Sequence, residues 1–137
     1  MMHGSSVDHN DDQARARQEA QARGRLLDAG ADRLAPRPWQ PPPVPPSATD
    51  LIHFFLWWTG AEPAGDSERR EAALAALRLL PAARAELDQL EAGLLFAARG
   101  LDLTWGQMAR AVGLNSPQAC QQRLDRLLAR RDRPGDA

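Results

Sequence analysis

The clearest hydrophobic pattern lies in the last third of the chain. Trp105, Met108, Ala109 and Val112 recur at i, i+3, i+4 and i+7, the apolar face of an amphipathic helix. Thr104 stands before them and Gln107 follows three residues later, the two members of a capping box in which each side chain accepts the other residue's backbone amide. Gly113 falls where this helix must stop, because a residue without Cβ enters the left-handed conformation cheaply. Ala109 is small enough to let a following helix approach, and Leu114 plugs the corner. The next helix opens with Ser116 as N-cap and Pro117 at its first position, where the missing N–H costs nothing. Cys120, Leu124 and Leu127 form its inward stripe. The opposite face presents Gln118, Gln121, Gln122 and Asp125, with Arg123, Arg126 and Arg130 on the flanks. Two short helices joined by a glycine-led turn predict a helix-turn-helix at 104–131.

Upstream the pattern is again helical. Pro81 to Arg99 carries Ala83, Leu87, Leu90, Leu94 and Ala97 at helical spacing, with Gly100 as the expected terminator. A strict heptad is read as broken by Arg84 and Glu91 on the seam, which disfavours a long coiled coil. Asp66 or Ser67 begins the helix before it, where Leu74, Leu77, Leu79 and Leu80 supply the apolar content and Pro81 either kinks it or starts anew. Ser47 or Thr49 caps a short helix over Asp50–Trp58, closed by Gly60. Phe54, Phe55, Trp57 and Trp58 cover more than one face of this helix, which marks them as candidate partner-binding residues as well as core. Between Pro36 and Pro46 seven of eleven residues are proline, read as an extended linker of at most roughly 34 Å. Residues 1–35 are Arg- and Ala-rich with thin apolar content, read as a flexible, partly helical tail whose first ten residues are disordered. The expected fold is therefore all-α. A tail (1–35) and a proline-rich linker (36–46) precede a helical domain (47–131), and a disordered C-terminus (132–137) follows. Residues 1–46 should then be removable without unfolding the rest.

The C-terminal segment resembles small helix-turn-helix regulators of GC-rich bacteria, a group that includes regulators of small heat-shock proteins, with the pattern W-x-x-x-A-x-x-L-G-x-x-S-R-Q-A-A-x-x-R-x-x-R-L. Trp105, Ala109, Val112, Gly113, Ser116, Gln118, Ala119, Cys120, Arg123, Arg126 and Leu127 carry the likeness. Pro117 stands where the pattern has arginine, and Gln122 where a basic residue is frequent. The resemblance implies sequence-specific binding of double-stranded DNA and transcriptional control.

Composition refines this picture. All 17 basic residues are arginine, and tyrosine is absent, a usage that fits a GC-rich genome more than a functional arginine cluster. The overall charge of −1 hides a gradient: residues 48–98 hold 4 arginines against 8 acids, and residues 99–137 hold 7 against 4. The positive field thus falls on the segment that would meet phosphate. Glutamine can bond adenine N6 and N7, and arginine can bond guanine or phosphate. The candidate DNA-binding set is Thr104, Gln107, Arg110, Ser116, Pro117, Gln118, Gln121, Gln122, Arg123, Arg126 and Arg130. Glu86, Asp88 and Glu91 read as a solvated face, or alternatively as a mimic of nucleic acid or a binder of a basic partner.

Catalytic, metal and cofactor residues are not expected. His3, His9 and His53 are scattered, with no zinc-ligand spacing, phosphate-cradling loop or nucleophile elbow. Cys120 is the single cysteine, expected as a small core residue in a reducing cytoplasm. No secretory signal is read at the start of the chain, and the longest apolar run, Leu51–Trp58, is far short of the ~20 residues of a membrane span. The expectation is a cytoplasmic, nucleoid-associated DNA-binding regulator that is not an enzyme. It should pair as a homodimer through the 51–58 helix, with RNA polymerase or another regulator as a possible further partner. The competing class is a protein-interaction module that docks through helix 50–58 and the N-terminal segment.

Overall fold

The computed structural model describes residues 3–40, 43–61 and 63–131, and it is all-helical apart from an isolated bridge between Arg37 and Gln40. Six α-helices follow in order: α1 (His3–Asp28), α2 (Ala48–Ala61), α3 (Asp66–Arg78), α4 (Leu80–Gly100), α5 (Trp105–Val112) and α6 (Pro117–Arg131), with a single 3-10 turn at Ala31–Arg33 after α1. The expected disorder of 132–137 concerns residues outside those described. The chain divides into two compact units, Met1–Arg84 and Ala85–Ala137, with the boundary inside α4. The single helical domain expected over 47–131 is therefore replaced by two cores, one on each side of Arg84.

The first unit overturns the reading of 1–35 as a tail. Ala22, Leu26 and Ala31 are buried with Leu51, Phe54 and Trp58 of α2 and with Ala72, Ala75, Ala76 and Leu79 of the α3 segment. Ala22 and Leu26 are four apart on α1, Leu51, Phe54 and Trp58 three and four apart on α2, and Ala72, Ala75, Ala76 and Leu79 share one face of the α3 segment, while Ala31 comes from the 3-10 turn. Alanine dominates the α3 face, and small side chains let helices approach closely. The apolar content of α1 is thin, but its anchors are all spent on this core. Arg25 adds an ion pair to Glu71 at 3.3 Å, and Arg23 donates to the Pro46 carbonyl at 2.9 Å. Gly30, at φ +130°, then ends the helical run.

The proline-rich segment is not extended throughout. Gln40 N–H donates to the Arg37 carbonyl at 2.9 Å, the Gln40 side chain donates to the Pro45 carbonyl at 2.6 Å, and Arg37 reaches Asp50 at 3.6 Å. These contacts fold the segment back toward the start of α2; Pro41 and Pro42 lie outside the described residues. Ser47 caps α2 by accepting the Asp50 amide at 3.0 Å. Leu51, Phe54 and Trp58 face inward, while Leu56 and Trp57 face out at 61% and 59% exposure.

The second unit packs the C-terminal part of α4 against α5 and α6. Ala92 and Leu95 of α4, Met108 and Ala109 of α5, and Cys120, Leu124 and Leu127 of α6 form its core. The inward face of α4 differs from the periodicity that stands out in the sequence. Ala92 and Leu95 are buried, whereas Leu87, Leu90 and Leu94 are exposed. The turn after α4 also differs in detail. Gly100 is still helical; the left-handed residue is Asp102, at φ +65°. Its amide donates to the Arg99 carbonyl and that of Leu103 to the Ala98 carbonyl, the paired bonds of a Schellman ending.

Candidate nucleic-acid interface

Local chemistry fixes α5 and α6 in the order the sequence suggests. Thr104 Oγ1 accepts the Gln107 amide at 3.0 Å, and Gln107 Oε1 accepts the Thr104 amide at 2.8 Å. At the other end Gly113 takes φ +82°, its amide donating to the Arg110 carbonyl and that of Leu114 to the Ala109 carbonyl at 2.8 Å. Leu114 is partly buried against the core, the apolar contact that accompanies such endings. Ser116 Oγ accepts the Ala119 amide at 3.1 Å, capping α6, and Pro117 opens the helix. A Cβ added at Gly106 would stand 3.8 Å from Pro117 Cγ, so the proline ring lies over the first turn of α5. Before α5, Arg99 donates to the Leu103 carbonyl at 2.9 Å and stacks over Trp105 at 4.8 Å from the ring centre, a cation–π contact that ties the connecting turn to the helix it introduces.

These contacts sort the candidate residues by what their side chains touch. Thr104, Gln107 and Ser116 serve helix ends, and Pro117 covers Gly106. Arg123 makes a two-point pair with Glu91, Nε to one carboxylate oxygen and Nη2 to the other, the latter at 3.0 Å. Arg130 reaches Asp88 at 2.9 Å. The hydrogen bond to Glu91, and then its charge, raise the Arg123 pKa above the ordinary arginine value. Both arginines are thus turned toward α4 rather than outward, a correction to their expected place on the DNA face. The two pairs run in opposite senses along the helices, 123 with 91 and 130 with 88, so α4 and α6 lie antiparallel where they meet.

The sequence reading singles out these carboxylates but not their pairing with Arg123 and Arg130. Acids three apart on α4 match arginines seven apart on α6, because each spacing keeps one helical face. Which faces meet depends on packing across two turns, and no local signal carries that. The basic partner that Asp88 and Glu91 suit is another helix of the same unit.

What remains outward on α6 is Gln118, Gln121, Gln122, Asp125 and Arg126, all exposed, with Arg110 exposed at the end of α5. Among the described residues Arg110 and Arg126 have no ion-pair partner. Residues 85–131 hold 6 arginines against 5 acids, so the unit is nearly neutral once the α4 carboxylates are counted with it. The outward face is polar, amide-rich and weakly positive.

The other features are quickly placed. Phe54 and Trp58 are core residues of the first unit and Phe55 is half-buried, so of the four expected partner-binding aromatics only Trp57 is largely exposed. Trp57 borders a cleft of about 680 Å³ whose walls include Arg33, Arg37, Asp50, His53 and Phe54. Among the described residues no cluster of His, Cys, Asp and Glu is arranged for a metal ion, and no helix is long and apolar enough to cross a membrane. The chain matches no protein-family model, no curated protein and no solved structure.

Proposed function

We propose that the Ala85–Arg131 region binds double-stranded DNA as a helix-turn-helix, with α6 lying in the major groove and acting in transcriptional control. The observation that carries this reading is the outward face of α6. Gln118, Gln122 and Arg126 project unengaged from a helix whose inward side is fixed by Cys120, Leu124 and Leu127. Side-chain amides held on a rigid helix are suited to reading base edges, and Arg110 and Arg126 supply phosphate contacts. The likeness of residues 105–127 to bacterial helix-turn-helix regulators supports the same assignment. Arg123 and Arg130 become orienting residues, which hold α6 on α4.

The test is fluorescence anisotropy of the full chain on a pool of genomic fragments at two salt concentrations, followed by variants on the preferred site. Gln118→Ala or Gln122→Ala should cost about 1–3 kcal/mol on that site and little on random DNA. Arg126→Ala should weaken both and lower the salt slope by about 0.9. No binding to any fragment by the parent would overturn the reading. The competing proposal, a protein-docking module, is favoured by one observation, the exposed pair Leu56 and Trp57 on α2. Trp57→Ala should leave DNA binding unchanged and abolish partner capture if that reading holds.

A further inference from the structure

The cleft that Trp57 borders is built by two separate segments. Asp50, His53, Phe54 and Trp57 line it from α2, spaced i, i+3, i+4 and i+7 and so on one helical face. The opposite wall comes from the stretch between Gly30 and Arg37. Two contacts hold that stretch in place: Ala31 is buried in the core near one end, and Arg37 reaches Asp50 at 3.6 Å at the other. The enclosed volume of about 680 Å³ falls within the roughly 300–1,000 Å³ of small-molecule sites. Leu34 and Trp57 both line it and stay 38% and 59% exposed, apolar surface that an occupant would cover. Trp57 is supported from behind by the buried Phe54, their ring centres 6.1 Å apart.

The charges on the walls are unequal. Among the described residues Asp50 is the only acid that lines the cleft, against Arg33 and Arg37, and Asp50 is already matched by Arg37. Arg33 folds back on Gly30, its Nε donating to the Gly30 carbonyl at 3.4 Å. A Cβ at Gly30 would stand 2.5 Å from Arg33 Nη2, so glycine leaves the room that this guanidinium occupies. Arg33 Nη1 and Nη2 have no hydrogen bond or ion pair among the described residues. One unmatched cation with a free planar edge therefore stands among aromatic and aliphatic walls.

We propose that this cleft binds a small aromatic carboxylate of about two-ring size, its carboxylate paired with Arg33 and its ring against Trp57. The arginine fork takes a carboxylate through two parallel N–H bonds, and a single unmatched positive charge suits a monoanion. The rings of Trp57 and His53 favour a flat aromatic body over an alkyl chain, because tilted or offset ring contacts add to what the buried area contributes. A mainly apolar cleft with a few placed polar groups is the general form of such sites. Every residue invoked belongs to the Met1–Arg84 unit, so the inference does not depend on the DNA reading.

Isothermal titration calorimetry of the full chain with 2-naphthoate tests it. The parent should bind with a dissociation constant on the order of 100 µM, and the neutral 2-naphthylmethanol should bind about tenfold or more weakly. Arg33→Gln should lose about tenfold on 2-naphthoate and change little on the alcohol, a split that a general loss of structure would not give. Trp57→Leu should erase the preference for 2-naphthoate over decanoate. Arg70→Gln, which removes an exposed arginine that does not line the cleft, should bind as the parent does. Arg33 and Trp57 are both exposed, so each variant should keep the parent's circular dichroism and melting temperature. A parent that gives no binding heat at millimolar 2-naphthoate, equal binding of acid and alcohol, or an Arg33→Gln variant that binds like the parent overturns the site. Tighter binding of decanoate than of 2-naphthoate overturns the aromatic class, and tighter binding of 2-naphthyl phosphate overturns the carboxylate.

Discussion

Gly113 is required by its backbone angle and not by crowding. At φ +82° an L side chain is strained, although no atom lies within 4 Å of where its Cβ would stand. Gly113→Ala should therefore destabilise the C-terminal unit by about 1–2 kcal/mol. Asp102 is the mirror case, a side chain already held at φ +65°, and Asp102→Gly should stabilise the same unit by up to about 1 kcal/mol. Urea denaturation of both variants checks the pair. Glu91→Gln probes the electrostatics. Its pair with Arg123 is partly exposed, at 22% and 44%, and such pairs contribute about 0–1 kcal/mol. Stability should barely move, while a released Arg123 should strengthen DNA binding and steepen its salt slope by about 0.9. Unchanged anisotropy curves would mean that Arg123 does not reach the duplex.

At the scale of elements, what the sequence reveals is what local chemistry controls. The capping box at Thr104, the left-handed turn at Gly113 and the Ser116–Pro117 start all depend on neighbours within a few residues, and each is found where it was read. The faces of longer helices were harder. On α4 the leucines at 87, 90 and 94 outweigh Ala92 and Leu95 in the pattern, yet the smaller set meets α5 and α6. Hydrophobic periodicity says that a face is apolar, not which neighbour it meets. The same holds for the segment that carries α1, where Ala16, Ala20, Leu26, Leu27 and Leu34 predict only a marginal helix, yet Ala22 and Leu26 anchor it in the first core. Leu26 is fully buried, and Leu26→Ala should cost about 2–5 kcal/mol. Deleting residues 1–46 should unfold the first unit instead of trimming a tail, which thermal denaturation of the two proteins will show. Of the candidate DNA face, Gln118, Gln121, Gln122, Arg126 and Arg110 were legible from helical geometry alone. The diversion of Arg123 and Arg130 to α4 was not, because it depends on a register between helices.

For the whole molecule, division into two units sets how damage spreads. A unit of 84 residues holds together by roughly 4–13 kcal/mol at typical values, so loss of Leu26 consumes a large share of that margin in the Met1–Arg84 unit. The candidate interface is built within the other unit. Leu26→Ala should accordingly lower the first unit's stability sharply while leaving affinity for a preferred DNA site within about twofold of the parent at low temperature. Anisotropy beside thermal denaturation checks this, and a parallel loss of binding would mean that the two units unfold together.

Cys120 has no exposed surface and is the chain's single thiol. A thiol reagent can reach it only when the Ala85–Arg131 core opens, so the labelling rate is a clock for that event alone. With reclosing faster than reaction, the rate is the opening equilibrium constant times the reagent's rate with a free thiol. One absorbance trace on the unmodified protein then measures how often the packing of α4, α5 and α6 comes apart under native conditions, undisturbed by events around Leu26.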